Sequence, residues 1–275
     1  MPIPRSYLFV PGDRTERFDK ALASEADAVV LDLEDAVAAP AKDAARAAVA
    51  ALLASAALAP RDAARLVVRI NDEATPWFEA DLAVLAAGRA PAVLLPKAER
   101  VATIERVRAA CPGIAVLPLV ESARGVLAAP ALAAAEGVQR LVFGTIDYTL
   151  DMDLQGALAP TLGLDTPAAL LALASRAAGL WPPVAGVTVA IDDPAPLRAD
   201  MERARALGFG AKLCIHPRQI APLHALLAPG DDEIAWARRV LAAAEAAGGA
   251  AVQLDGRMID RPVIERARRV VRAAR

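Results

Sequence analysis

The chain has 275 residues, of which 56% are hydrophobic and 23% charged, enough apolar material for a sizeable core, which excludes a wholly disordered protein. Its 31 Lys and Arg residues nearly balance its 33 Asp and Glu residues, so no basic excess predicts binding to nucleic acid or to an anionic membrane. The two cysteines form no CxxC motif, the N-terminus lacks a signal-peptide pattern, and no apolar run is long enough to span a bilayer. We therefore expect a protein of the reducing cytoplasm.

Short apolar runs alternate along the chain with longer, alanine-rich amphipathic runs. Eight of the apolar runs predict strands, at Ser6–Val10, Ala28–Leu33, Leu66–Ile70, Ala92–Leu95, Ala115–Leu119, Arg140–Phe143, Val184–Gly186 and Ala211–Ile215. They lack clean polar alternation, as is typical of parallel strands that are buried on both faces. The alanine-rich runs predict helices near 14–25, 42–57, 76–88, 100–110, 123–135, 166–179, 194–207 and 217–227.

Eight strand–helix units within residues 1–228 predict a (β/α)8 TIM barrel that forms the catalytic domain, with a doubly wound open sheet as the competing α/β architecture. No Gly-x-Gly-x-x-Gly motif follows a strand, which argues against a dinucleotide site. Residues 229–275 lie outside the repeats and predict a helix over 234–247, a connector over 252–260 and a last helix over 262–274. We expect this C-terminal helical extension to pack on the barrel as a lid or to reach a neighbouring subunit.

Polar residues follow most of the predicted strands, at the end of a barrel where catalytic groups lie. Glu121 follows the fifth strand and Asp147 the sixth. Each alone is equally well a solvated loop carboxylate or, for Asp147, a helix cap. Together, two carboxylates with open positions for water and substrate suit Mg²⁺, whereas the two histidines are eight residues apart and do not suit zinc. The sequence therefore predicts a magnesium site.

Two cations beside this predicted site allow more than one interpretation. Arg69 lies inside an apolar strand, where an unpaired charge is costly. It is either the partner of Glu34 or Asp35 in a structural salt bridge or a fork that binds a substrate carboxylate. Lys97 follows the fourth strand and allows the same two interpretations, with a Schiff-base lysine as a third.

A second group of cations lies near the first two strands. Arg14, Arg17 and Lys20 are spaced three residues apart, so they share one face of a helix. That face is either solvated or a site for the phosphates of a large cofactor. Lys42 and Arg46, one helical turn apart, allow the same two interpretations.

Seven motifs occur in a fixed order, namely SYLFVPGDR at 6–14, LDLEDAV at 31–37, VRIN at 68–71, LPKAE at 95–99, LVESARG at 119–125, FGTID at 143–147 and KLCIHP at 212–217. Together they resemble the HpcH/HpaI aldolase/citrate lyase family, in its citrate lyase β-subunit-like branch, over about residues 4–271. The resemblance implies a (β/α)8 barrel that assembles as a homotrimer or a hexamer of two trimers. It also implies Mg²⁺, or Mn²⁺ in its place, and a carbon–carbon bond cleaved or formed between an acyl thioester and an α-keto acid.

The resemblance assigns roles to residues that match the family's motifs. It implies that Glu121 and Asp147 bind the metal and that Arg69 holds a carboxylate or carbonyl oxygen of the substrate. It implies that Glu34 and Asp35 support the site and its metal-bound waters. For the four cations Arg14, Arg17, Lys20 and Lys42 it implies contacts with coenzyme A.

The segment DGRMIDRP at 255–262 resembles the Met-Ile-Asp-x-Pro segment of malyl-CoA lyases. There the aspartate is a catalytic acid or base, often delivered by an adjacent subunit, whereas its position alone makes Asp260 a helix N-cap. We expect a lyase that cleaves a 3-hydroxy-3-carboxyacyl-CoA, of the malyl-CoA or citramalyl-CoA type, to an α-keto acid and acetyl-CoA. The alternative is a citrate lyase β subunit acting on a thioester of acyl-carrier protein within a complex.

Overall fold

The computed structural model describes residues 3–88, 90–156, 159–246 and 252–274. The chain divides into two compact units, Met1–Leu223 and His224–Arg275. In the first unit, eight parallel strands form a closed barrel in chain order: β1 Ser6–Pro11, β2 Ala28–Asp32, β3 Leu66–Arg69, β4 Ala92–Leu95, β5 Ala115–Val120, β6 Val142–Phe143, β7 Val184–Ala185 and β8 Ala211–Cys214. Strand β1 pairs with both β2 and β8, which closes the sheet. The predicted barrel is confirmed, and the open sheet is excluded.

The interior of the barrel is filled by side chains from all eight strands. They are Tyr7, Ala28, Val30, Val67, Ala92, Leu94, Leu117, Leu119, Val142, Val184, Ala211 and Leu213. Residues between these positions, such as Val29 and Leu31, point away from the axis and are also fully buried, because the helices cover the outer face. Burial on both faces explains why the strands appear in the sequence as continuous apolar runs.

Helices connect the strands along the chain. They are α1 Phe18–Leu22, α2 Lys42–Ala54, α3 Pro60–Ala63, α4 Phe78–Ala87, α5 Val101–Ala110, α6 Ala123–Ala134, α7 Thr145–Asp151, α8 Leu164–Ala177, α9 Pro194–Ala206 and α10 Ile220–Leu227. Helix α7 was not predicted, because it spans seven residues, three of them the β-branched Thr145, Ile146 and Thr149, and is too short for a hydrophobic period to show. Among the described residues, no helix combines the length and the apolar character needed to cross a membrane.

The second unit has its own small core. Helices α11 Asp231–Ala246 and α12 Arg261–Ala273 pack through Ala237, Val240, Ala244, Ile264, Ala267 and Val270. Between them, within the predicted connector, β9 Val252–Leu254 and β10 Arg257–Ile259 form an antiparallel hairpin. Asp255 and Gly256 have φ angles of 50° and 76°, the left-handed pair that a two-residue hairpin turn requires. The predicted domain boundary after residue 228 lies at the end of α10. The division of the structure after Leu223 lies within that helix.

Because all eight barrel strands run in the same direction, their carboxyl ends meet on one rim. This rim carries the polar residues that follow β2, β3, β4, β5 and β6. They are Glu34, Asp35, Asn71, Lys97, Glu121 and Asp147.

Candidate active site

Arg69, the last residue of β3, is the most connected cation on this rim. Its Nε donates to Oδ1 of Asp32 at 2.7 Å and its Nη2 to Oδ2 at 2.6 Å, a two-pronged ion pair between neighbouring strands. The guanidinium also lies over the Phe9 ring, 4.8 Å from its centroid. Burial lowers the pKa of Arg69, but the hydrogen bonds and charge of Asp32 outweigh burial and hold that pKa above its ordinary value. Arg69 is therefore a fixed positive charge.

Glu34 and Asp35 extend this cluster toward the opening of the barrel. Nη1 of Arg69 lies 2.8 Å from Oε2 of Glu34 and 3.6 Å from Oδ2 of Asp35, so the ion pairs expected from the sequence are present. Glu34 is buried and Asp35 is exposed. The buried Oε2 of Glu34 is close to Arg69 but has no hydrogen-bond partner among the described residues. Burial, against the opposing charge of Arg69, raises the pKa of Glu34 to about 7.

Glu121, directly after β5, is a second buried carboxylate on the rim. It is 5% exposed, and its Oε1 accepts a 2.8 Å hydrogen bond from the backbone N–H of Lys97. Burial, followed by the negative charge of Glu34, raises the pKa of Glu121 to about 8, and Asp147 acts in the same direction. A buried carboxylate whose pKa is raised by burial and by neighbouring carboxylates marks a place where added positive charge is favourable.

Asp147 lies in the first turn of α7, half-buried, and its charge reaches Glu121. In the described part of the chain, no group of three or more His, Cys, Asp or Glu side chains is arranged to hold a metal. Mg²⁺ does not require such a group, because it commonly takes one or two carboxylates and completes its octahedron with water and substrate oxygens. The carboxylates of Glu121 and Asp147, whose charges interact, are oxygen donors that fit this ion.

Lys42 does not face this rim as a free cation. It is buried, and its Nζ donates at 2.7 Å to the carbonyls of Leu33 and Glu34 and to Oδ1 of Asn71. These three bonds use all three protons of an ammonium group, so none remains for a cofactor phosphate. In this structure Lys42 holds the loop after β2 against the loop after β3, and its contact with coenzyme A stays a prediction.

Arg14, Arg17 and Lys20 lie after β1 and are all exposed. Arg17 lies 3.9 Å from Glu16, too far for a close ion pair. The described structure shows no anion partner that holds Arg14 or Lys20 in place. Their contact with a phosphate therefore stays a prediction.

Asp260 lies in the second unit, immediately before α12. Its Oδ1 accepts a 3.3 Å hydrogen bond from the backbone N–H of Val263, so it caps this helix as its position suggested. A carboxylate at a helix N-terminus is stabilised by the helix dipole. This hydrogen bond occupies only Oδ1 of Asp260, so it does not test whether the carboxylate is also catalytic, and that role stays a prediction.

Sequence reasoning missed two acids that hold the rim together. Asp32 was counted within an apolar strand, yet it is fully buried and forms the bidentate pair with Arg69. Asp81 of α4 is also fully buried, and it accepts from the backbone and side-chain amides of Asn71 and from Arg46. The available signal was an acid inside an apolar run, because a buried carboxylate requires a partner.

Comparison with known proteins places this site in context. A model of the HpcH/HpaI aldolase/citrate lyase family matches residues 5–217. The chain is 36% identical to a (3S)-malyl-CoA thioesterase of Cereibacter sphaeroides, over 98% of this chain and 94% of the relative. It is 37% identical to the citrate lyase subunit beta of Escherichia coli, over 98% and 93%. A crystal structure of the protein CitE from Mycobacterium tuberculosis, in complex with magnesium, acetoacetate and coenzyme A, covers 98% of both chains with 35% identity and a TM-score of 0.85.

Proposed function

The chain belongs to the HpcH/HpaI aldolase/citrate lyase family, and from that membership we propose that it is a Mg²⁺-dependent carbon–carbon lyase acting on a coenzyme A thioester. The proposed reaction cleaves a 3-hydroxy-3-carboxyacyl-CoA, of the malyl-CoA or citramalyl-CoA type, to an α-keto acid and acetyl-CoA. The observation that carries the proposal is the cluster of buried carboxylates, Glu34 and Glu121, around Arg69 at the carboxyl rim of the barrel. The magnesium and coenzyme A bound by the similar CitE structure support it.

Glu121 and Asp147 are proposed to hold the metal, with Glu34 and Asp35 orienting its water molecules. Bound Mg²⁺ supplies Lewis acidity, which lowers the pKa of the substrate hydroxyl and orients the bond to be broken. The fixed guanidinium of Arg69 keeps N–H groups beyond the two that Asp32 takes, and these are proposed to bind a substrate oxygen. Its positive charge stabilises the negative charge that develops on that oxygen.

The reaction needs two proton transfers. The hydroxyl proton leaves to a base, the new carbonyl forms, and the electron pair of the broken carbon–carbon bond passes to the thioester as an enolate. We propose that Asp260, from a neighbouring copy of the chain in a homotrimer or hexamer, protonates the enolate carbon and yields acetyl-CoA. In the condensing direction the same carboxylate removes that proton.

The reaction is tested by offering malyl-CoA, citramalyl-CoA and citryl-CoA to the metal-free protein, with and without Mg²⁺ or Mn²⁺. We expect release of an α-keto acid only when metal is present. Free thiol is measured in parallel, because a relative is named as a thioesterase and hydrolysis of the product would release coenzyme A. Full activity in the presence of EDTA would contradict the assignment, and no activity with any of the three thioesters would contradict the substrate class.

The shared role of Asp260 is tested by subunit exchange. Asp260→Asn keeps a good N-cap residue, so α12 stays folded while the acid is lost. Asp193→Asn, a change at the cap of α9, is the matched control and should leave activity unchanged. Mixing inactive Asp260→Asn with inactive Glu121→Gln should restore activity, because some sites then contain one intact residue from each copy. With exchange verified by mass spectrometry, no recovery would contradict a site shared between copies.

The similarity to a citrate lyase subunit beta favours one alternative, a β subunit that acts on a thioester of acyl-carrier protein. The two functions differ in the carrier of the acyl group. Citryl thioesters of coenzyme A and of acyl-carrier protein, compared at equal concentration, separate them. A kcat/KM higher for the protein-bound thioester would favour the alternative.

A further inference from the structure

Lys97, two residues after β4, has a left-handed backbone with φ 45°, a conformation that residues other than glycine rarely adopt. Its side chain is exposed, whereas Pro96 before it and Ala98 after it are buried. Burial of its own side chain therefore does not account for the conformation. Strained backbone persists where the surroundings enforce it, and it is frequent at functional sites.

This conformation coincides with a contact to the proposed metal ligand. The N–H of Lys97 donates to Oε1 of Glu121 at 2.8 Å, and the N–H of Ala98 donates to the carbonyl of Leu119 at 3.1 Å. The second bond ties the loop after β4 to β5, the strand that Glu121 follows. The first is a hydrogen bond to a carboxylate, which is stronger and more directional than one between neutral groups.

Gly144 closes the opposite side of Glu121. A Cβ atom on Gly144 would lie 2.5 Å from Oε2 and 2.6 Å from the Cβ of Glu121, well inside contact distance. The backbone N–H of Gly144 donates to the carbonyl of Val120 at 2.9 Å, so Gly144 is tied to the neighbouring strand. The side chain of Glu121 therefore lies between the backbones of two loops and has little freedom to rotate.

We infer that Lys97 is a positioning residue, whose left-handed backbone, with Gly144 opposite, fixes the orientation in which Glu121 meets the metal. The inference deepens the proposed function and rests on it, because metal binding is the property that it explains. It assigns the role to the backbone of Lys97 and not to its ammonium group.

A pair of substitutions separates backbone from side chain. Lys97→Gly and Lys97→Val both remove the ammonium, but glycine adopts the left-handed conformation freely and valine resists it. We expect Lys97→Gly to keep the Mg²⁺ dissociation constant within about twofold of wild type, with an unfolding temperature no lower. Lys97→Val should raise that constant about tenfold, the cost of a lost bond to a charged group. If Lys97→Val does not fold, Lys97→Thr, which is also β-branched, takes its place with a rise of at least about threefold.

The measurements are isothermal titration calorimetry with MgCl2 on the full chain and thermal unfolding of the same samples. Asp153→Gly is the matched control, because Asp153 is also left-handed, with φ 48°, and is exposed outside the cluster. It should leave the Mg²⁺ dissociation constant unchanged. Equal loss of affinity in Lys97→Gly and Lys97→Val would assign the effect to the ammonium and overturn the inference. Wild-type affinity in Lys97→Val, or in Lys97→Thr where it replaces Lys97→Val, would overturn the inference as well.

Gly144→Ala tests the other side, because the added methyl group must displace the Glu121 side chain. We expect a loss of Mg²⁺ affinity as large as that of Lys97→Val, and wild-type affinity would contradict the role of Gly144. Different results would refute the proposed function and the inference about Lys97 and Gly144. A wild-type protein that does not bind Mg²⁺ refutes the proposed function and this inference with it. A wild-type protein that binds Mg²⁺, with affinity that does not follow the backbone, refutes the inference alone.

Discussion

Two arginines at opposite ends of the barrel, the partly buried Arg69 and the fully buried Arg140, show how the same residue type serves different purposes. Arg69 ends β3 at the carboxyl rim, where Asp32, Glu34 and Asp35 lie within 4 Å of its guanidinium. Arg140, just before β6 at the other end, is fully buried, and among the described residues no carboxylate pairs with it. Its N–H groups go to the carbonyls of Pro4 and Pro182 and, at 3.4 Å, to the Tyr7 hydroxyl.

The partners change the chemistry of the two groups. Burial lowers the pKa of Arg140, and the weak interaction with Tyr7 does not compensate. At Arg69 the same effect of burial is outweighed by Asp32 and Glu34. The carbonyl partners of Arg140 add no charge and leave its Nη2 without a hydrogen-bond partner among the described residues. Carboxylates beyond the number needed for neutrality, in contrast, create a site for a metal cation. The comparison separates an arginine that ties two loops together from one that belongs to the proposed active site.

The largest expected effect comes from replacing Glu121, a buried acid of the carboxyl rim that has no counterpart beside Arg140 among the described residues. Glu121→Gln keeps the size of the side chain but removes the charge that we propose binds Mg²⁺. We therefore expect kcat/KM to fall at least about a hundredfold, since even residues behind metal ligands cost 10–100-fold. Glu136→Gln, an exposed acid paired with Arg108 between α6 and β6, is the control and should stay within twofold. Steady-state keto-acid release measures both. Equal activity of Glu121→Gln and Glu136→Gln would contradict a role of Glu121 in catalysis.

Arg69→Lys sharpens the comparison from the side of the cation. Lysine keeps the charge but cannot reproduce the two parallel bonds to Asp32 and still reach the substrate. We expect kcat to fall about 10–100-fold, with a smaller change in KM, because the contact strengthens as charge develops on the substrate oxygen. Wild-type kcat would leave Arg69 with the structural role that Arg140 has.

How far the sequence led can be judged from these same residues. The strand ends placed Arg69, Glu121 and Asp147 on one rim, because parallel strands of a barrel all end on the same side. The sequence suggested Glu34 and Asp35 as partners of Arg69 but did not reveal its bidentate partner, Asp32. Asp32 was concealed within an apolar run, and Lys42, counted among the cofactor contacts, is used up by internal hydrogen bonds. The sequence was sufficient to assign residues to the carboxyl ends of the strands. Side-chain pairing also depends on the three-dimensional register between strands.

The pH dependence of Mg²⁺ binding tests whether the carboxylates on the rim outnumber the cations that neutralise them. Because burial raises the pKa of Glu121 to about 8, the metal-free carboxyl is largely protonated at pH 7, and Mg²⁺ must displace that proton. The Mg²⁺ dissociation constant should rise as pH falls below 8, by up to about tenfold per pH unit for one proton. Calorimetry at pH 6.5, 7.5 and 8.5 in buffers of different ionisation enthalpy measures the proton released. A constant affinity over this range would contradict the prediction.

The raised pKa of Glu121 also affects stability, but in the opposite direction: higher pH favours Mg²⁺ binding and lowers the free energy of unfolding of the metal-free protein. A carboxyl whose pKa is higher in the folded protein than in the unfolded chain binds more protons when folded between its ordinary value of 4.5 and about 8. The metal-free protein should therefore lose free energy of unfolding as pH rises through this window, and saturating Mg²⁺ should reverse the loss. Urea unfolding at pH 6 and pH 8, with and without MgCl2, checks the sign. Glu121→Gln should show a smaller dependence than wild type.

The smallest effect on catalysis is expected at Arg140. Arg140→Lys keeps a buried charge but cannot reach the carbonyls of Pro4 and Pro182 together, so we expect the free energy of unfolding to fall by about 1–3 kcal/mol. Neither carbonyl belongs to the carboxyl rim, and kcat/KM should stay within twofold at a temperature where the variant is folded. Urea unfolding and keto-acid release, measured beside Arg69→Lys, give the two readouts. If Arg140→Lys lost activity as Arg69→Lys does, without losing stability, then carbonyl partners would not mark a structural arginine, and the charge at the amino end of this barrel would need a functional explanation of its own.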